Sequence, residues 1–179
     1  MTLRGNGLVV FGLVALAVLS RWLPHPPNFS PLIGIALFAG ARFDSKKLAI
    51  GVPLLAMIIS DVALGWHSTL PFVYGGMAVL ALAGWLALKP SRFGWTRLGA
   101  VSTFGAIFFF VVSNFGVWAT QDLYSQSLTG LVACFAAAIP FFPATLGSAW
   151  VYSFALFALS AAADLRFERS PLGEVKTSK

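Results

Sequence analysis

Charged residues are scarce in this chain. They make up 10% of its 179 residues, whereas a soluble domain carries ~25% because its surface must be wetted. That shortage excludes a soluble fold. There is one cysteine, Cys134, so an intramolecular disulfide is excluded too. The two histidines, His25 and His67, have no helical i, i+4 partner and no third ligand at a recognised metal-site spacing. No glycine-rich phosphate loop of the Walker type is present, so the chain does not itself hydrolyse nucleotide. Neither a Gly-x-Ser-x-Gly elbow nor a His-Glu-x-x-His pair occurs. No enzymatic activity, cofactor or bound metal is therefore expected, and no internal repeat is visible.

What the chain does have is apolar length. Hydrophobic residues make up 58% of it, and they come in runs at Gly7–Leu23, Leu48–Gly65, Phe72–Leu88, Leu98–Ala119 and Ala144–Ala163. A run of ~18 or more nearly uncharged residues crosses a bilayer core of ~30 Å. The expected fold is all-α: an integral membrane bundle of about six transmembrane helices. The first run lacks a small-x-small cleavage site and continues into Arg21-Trp22-Leu23-Pro24, so it reads as a retained helix. Pro24, Pro26 and Pro27 end it. A short second span follows from Ser30 or Pro31 to Phe43. The third runs from Lys47 to Leu64 around Pro53, the fourth from Leu70 to Leu88, and the fifth from Arg97 to Ala119. Leu128 to Ala163 is too long for one span and contains Pro140-Phe141-Phe142-Pro143. A break there gives a short interfacial or re-entrant helix, Leu128–Ile139, before a last span at Ala144–Ala163. Residues 1–165 form one transmembrane domain and 166–179 a polar cytoplasmic tail.

The net charge of +6 orients this bundle rather than pointing to nucleic acid. With six spans and the N-terminus inside, eleven of the twelve Lys and Arg residues fall on the cytoplasmic side. Such asymmetry is what positive-inside sorting produces. Only Arg21 lies near the outer face. A seventh span would put the basic C-terminal tail outside. The expected location is the bacterial cytoplasmic (inner) membrane, with several passes and both termini cytoplasmic.

This orientation gathers the unusual polar residues in one outer layer. Arg21 and His25 close the first span, and Asn28 lies in the loop beyond. Asp61 lies near the outer end of the third span, with His67 just past it. Asn114 and Trp118 lie in the outer part of the fifth, followed by Gln121, Asp122 and Tyr124. A carboxylate at membrane depth faces protein or water and marks a functional candidate. Arg21 is the natural partner of Asp61, and that pair could equally pin the first helix to the third. His25 and His67 suit hydrogen bonding to a ligand, though paired histidines also allow a bis-His haem reading. Trp22, Trp66, Phe72, Tyr74, Trp118 and Tyr124 form an aromatic layer, which membrane proteins place at the interface and which also suits a flat heterocycle. Cys134 reads as small-residue packing or, alternatively, as a soft-metal ligand. Small residues four apart, such as Ala36/Gly40, Ala133/Ala137 and Ala158/Ala162, allow close helix approach or a docking face.

Four stretches are distinctive as a set: Arg21-Trp22-Leu23-Pro24-His25-Pro26-Pro27-Asn28-Phe29-Ser30-Pro31; Ser60-Asp61 followed by Gly65-Trp66-His67; Ser113-Asn114-Phe115-Gly116-Val117-Trp118; and Gly130-Leu131 with Cys134 and Ile139-Pro140-Phe141-Phe142. Carrying them, the chain resembles, up to about Ala163, an uncharacterised family of small bacterial transport-type membrane proteins. That group resembles in turn the substrate-binding S components of energy-coupling factor (ECF) vitamin transporters. The resemblance implies capture of a small-molecule substrate outside the cell and association with a membrane coupling subunit carrying ATPases. Two departures stand out. Gly7–Leu23 lacks the Ala-x-x-x-Ala docking motif of many S components, and Thr2-Leu3-Arg4 lacks the N-terminal histidine of the metal-specific ones. The leading expectation is a membrane substrate-binding subunit for a vitamin or precursor, with Arg21, His25, Asn28, Asp61, His67, Asn114, Trp118 and Tyr124 at its site. The alternative is a scaffold subunit of a membrane complex.

Overall fold

A computed structural model describes residues 7–168, with side chains through 164. Every long element among them is a helix: α1 (Gly7–Trp22), α2 (Leu32–Arg42), α3 (Lys46–Leu64), α4 (Leu70–Ala87), α5 (Trp95–Thr120), α6 (Leu128–Ala138) and α7 (Phe142–Glu168). Single 3-10 turns lie at Pro90–Arg92 and Ile139–Phe141. Four stretches are long and apolar enough to cross a membrane: Lys46–Leu64, Leu70–Ala87, Trp95–Thr120 and Leu128–Asp164. Their outer surfaces carry exposed Leu55, Ile59, Phe104, Val151 and Leu159, faces that only a lipid-like surrounding satisfies. The chain is thus a membrane-embedded helical protein. α1 and α2 are apolar but shorter.

α2 is the axis of the bundle. All eleven of its residues are buried, and it touches α3, α4, α5 and α7. Around it the other helices follow in the order α1, α3, α4, α5, α7. Glycine permits its closeness to α4. A Cβ on Gly40 would collide with the Ala81 carbonyl oxygen, and one on Gly84 with the Leu37 carbonyl oxygen. The Ala36/Gly40 spacing is therefore internal packing of the small-residue kind. At eleven residues, α2 rises only ~16 Å, about half a bilayer core. It fills the centre of one half of the bundle and leaves the other half to be lined by loops and side chains.

The end of the bundle around Arg42 is cationic. Lys89 Nζ donates to the Phe43 carbonyl at 2.9 Å, and Arg92 Nη1 to the Leu86 carbonyl at 2.9 Å. These cations meet the negative ends of α2 and α4. Arg42 pairs with Asp164 at 3.5 Å, and Lys89 Nζ sits 3.5 Å over the Trp85 ring.

The last stretch differs from expectation. α6 and α7 are joined through a single 3-10 turn into one run. α6 runs along α5 with Phe110 against Phe135 at 5.8 Å, and α7 follows the same helix, with Phe142 5.2 Å from Phe110 and Trp150 Nε1 donating to Thr103 Oγ1 at 3.0 Å. Pro140 makes one 3-10 turn instead of a reversal, because its missing N–H falls where the helix tightens. Pro143 stands in the first turn of α7, where no intrahelical donor is needed. Leu128–Asp164 is one interrupted helical run of 37 residues. α7 extends to Glu168, past the expected boundary at 165. Most of the expected tail (169–179) lies outside the described residues, as does Arg4.

Candidate functional site

Two turns build the mouth of the site. After α1, consecutive prolines forbid helix, and the chain closes a tight turn in which Phe29 N–H donates to the Pro26 carbonyl at 3.0 Å. Asn28 occupies its third position with φ 62°. Proline at the second position and a left-handed residue at the third are what a type II turn requires, and asparagine tolerates that conformation better than most side chains. His25 Nδ1 donates to the Leu23 carbonyl at 2.8 Å. The second turn follows α3, which stops at Gly65 (φ 99°), a conformation glycine adopts without Cβ strain. His67 Nδ1 then bonds Thr69 Oγ1 at 2.6 Å. Each histidine is thereby oriented through Nδ1 by its own turn.

Between these turns, over the N-terminus of α2, lies a cavity of about 430 Å³. That size falls within the ~300–1,000 Å³ of small-ligand pockets. Exposed His25, Asn28 and His67 rim it. Its floor is Ile33, Met77 and Ser148, all buried. Val73, Phe109, Phe110 and Val117 line its walls, and Ser113, Asn114 and Thr145 bring polar atoms to them. Arg21 reaches it from the end of α1.

Arg21 is held from behind. Its Nη1 donates to Ser60 Oγ at 2.6 Å. Its Nη2 lies 2.6 Å from Asp61 Oδ1, as an ion pair that lacks the angle of a hydrogen bond. Asp61 is fully buried, and Tyr74 Oη donates to its Oδ2 at 2.8 Å. The acid therefore does not line the cavity; it positions the arginine that does. A guanidinium has five N–H donors. One is given to Ser60 and one is directed at Asp61, so the group has further donors to offer at the cavity it lines.

The hydroxyls on the walls satisfy themselves along their own helices. Ser113 Oγ donates to the Phe109 carbonyl at 2.7 Å, Ser148 Oγ to the Thr145 carbonyl at 3.0 Å, and Asn114 Nδ2 to the Phe110 carbonyl at 2.7 Å. Their oxygens keep lone pairs, and Asn114 keeps one further N–H. The site can thus bind a polar molecule by hydrogen bonds around an apolar core. None of the residues lining it is acidic, and no group of three or more His, Cys, Asp or Glu able to hold a metal ion occurs among the described residues.

Of the residues nominated from sequence, Arg21, His25, Asn28, His67 and Asn114 come together on the cavity, with Asp61 directly behind. Trp118 and Tyr124 do not line it. Trp118 instead fastens the loop after α5: its Nε1 donates to the Ser125 carbonyl at 3.0 Å, and its carbonyl accepts from Gln126 Nε2 at 2.5 Å. Cys134 is buried against the Asn114 carbonyl, with Sγ 3.5 Å away, a packing role. Sequence reasoning missed the hydroxyls of Thr145, Ser148 and Thr69, and it took Tyr74 for an interfacial aromatic. Thr145 and Ser148 are three apart in an apolar helix, so they share a face, and that was the available signal.

No curated protein and no solved structure matches the chain. A family model matches residues 2–171, and the chain accordingly belongs to that family, a family of unknown function (DUF6580).

Proposed function

We propose that the chain is a substrate-capture subunit for uptake of a small nutrient, a vitamin or vitamin precursor, which it binds at the outer face of the bacterial cytoplasmic membrane. The observation that carries this reading is the cavity of about 430 Å³, bounded by oriented polar side chains at the end of the bundle opposite the cationic cluster. A pure scaffold subunit has no use for such a hollow, and its polar layer would be packed shut. In this reading α1 and α2 join the four longer stretches to give six crossings. The non-helical segment 24–31 completes the crossing that α2 begins, since irregular backbone is tolerated at membrane depth where it lines a cavity. Lys46, Lys47, Lys89, Arg92 and Arg97 face the cytoplasm by the positive-inside rule. The similarity to ECF S components supplies the expected partner, a membrane coupling subunit with ATPases. The chain serves as a binding protein rather than an enzyme.

The test is a thermal-shift screen of the purified protein against vitamins and their precursors, run beside Ser113→Phe, which places a ring in the cavity. A compound that stabilises the native protein and not the filled variant is expected. If nothing stabilises either one, and uptake of every candidate survives Asp61→Ala in cells, the reading fails.

A further inference from the structure

The cavity's chemistry narrows the ligand class, an inference that rests on the capture reading above. Its lining contains one permanent cation, Arg21, two imidazoles and no acid. The arginine keeps further N–H donors, while Asp61 and Ser60 fix it from the side away from the cavity. Each histidine directs Nδ1 into its own turn; with the His25 proton held on Nδ1, its Nε2 is an acceptor for a ligand N–H or O–H. Leu32 and Ile33 place the first turn of α2 at the cavity as well, where the Leu32 N–H donates to Ser30 Oγ at 3.4 Å, adding the positive end of a helix dipole. Val73, Met77, Phe109 and Phe110 supply an apolar part of the lining. The side chains that hold polar atoms deepest, Thr145 and Ser148, donate their own protons to backbone carbonyls, so toward a ligand they act as acceptors.

We infer that this cavity takes a small organic monocarboxylate with a flat apolar body. The carboxylate sits on Arg21 between the His25 and His67 turns, the body lies against Phe109, Phe110, Val73 and Met77, and an N–H or O–H group of the ligand reaches Thr145 and Ser148. A planar, bidentate fork matches a carboxylate. A dianion such as a phosphate monoester fits poorly, because the lining holds no second permanent cation for its second charge. A cationic ligand would face the guanidinium of Arg21, with no acidic side chain in the lining to offset it.

The experiment uses the full chain in detergent micelles and a panel of planar heteroaryl carboxylates. Each is compared with its primary amide, its methylammonium analogue and its phosphate monoester by calorimetric titration. A charge-assisted hydrogen bond corresponds to a preference of ~10–100-fold for carboxylate over amide. In the double variant R21Q/D61N, which removes both charges of the pair, that preference is expected to collapse toward unity, the carboxylate losing far more affinity than the amide. Wild-type protein that binds the amide, the ammonium or the phosphate as tightly as the carboxylate overturns the class assignment and leaves the capture reading standing. The same holds if the double variant binds and keeps the full preference. No binding by any member of any class, alongside a vitamin screen that also finds nothing, overturns the capture reading and this inference with it. If the double variant does not fold, the wild-type ratio still decides the class.

Discussion

Asp61→Asn removes a buried negative charge while keeping an oxygen for Tyr74 Oη, which now donates to Oδ2 at 2.8 Å. The substitution therefore isolates the ion pair. Arg21 is left with its side chain 18% exposed and no counter-charge, a situation that costs ~3–5 kcal/mol when one partner of a buried pair is deleted. Arg21→Gln leaves the fully buried carboxylate unpaired and loses a similar amount. Replacing both groups removes the desolvation penalty along with the attraction, so R21Q/D61N is expected within ~1–2 kcal/mol of wild type. For a chain of this size, each kcal/mol corresponds to ~2–4 °C. The single variants should thus melt ~6–20 °C lower, and the double variant should recover most of that. Thermal unfolding in detergent, followed by tryptophan fluorescence, measures the cycle. If the two single losses simply add in the double variant, Arg21 and Asp61 are not coupled, and the positioning role given to Asp61 is wrong.

Three further outcomes follow from other parts of the molecule. Gly40→Ala and Gly84→Ala push a Cβ into the backbone of the facing helix and should cost at least ~1–3 kcal/mol in the same melts; Gly51→Ala, with nothing within 4 Å, should raise stability by up to ~1 kcal/mol through helix propensity. On a Cys134→Ala background, Ser68→Cys should react with an impermeant maleimide on intact cells and Ser91→Cys only after permeabilisation; the reverse pattern would invert the proposed orientation. Burial pushes the Lys89 amine below 10.5 against the opposing pull of Asp44, so its charged form is disfavoured on folding, and its contribution to stability rises as pH climbs from the lowered value toward 10.5. Titration of dimethylated Lys89 by NMR checks this, and a value at or above 10.5 would mean that the Trp85 face and the Phe43 carbonyl outweigh desolvation.

α3, α4 and α5 were legible because their apolar runs are long and end at charges, glycine or proline. The joint between α6 and α7 was not. Pro140-Phe141-Phe142-Pro143 reads as a break, yet both prolines fall where a missing N–H costs little. Nor does hydropathy reveal that α2 is central, since a buried helix and a lipid-facing one are equally apolar; the Ala36/Gly40 spacing was the hint. The site was legible where residues are costly in lipid, as with Arg21, Asp61 and Asn114. It was faint for Thr145 and Ser148, because hydroxyls bond their own helix and only their three-residue spacing marked a shared face. Trp118 and Tyr124 stand off the cavity, and sequence alone does not separate a site aromatic from an interfacial anchor.

The claim at the centre of this account is that the hollow above α2 holds a solute. Native mass spectrometry of the protein purified from its own membranes tests it most directly, with wild type compared against Ser113→Phe. The account predicts a bound small carboxylate on the wild type and none on the filled variant. A wild-type protein that carries no small molecule and acquires none from the panel, or a Ser113→Phe variant that retains the same ligand, would contradict it.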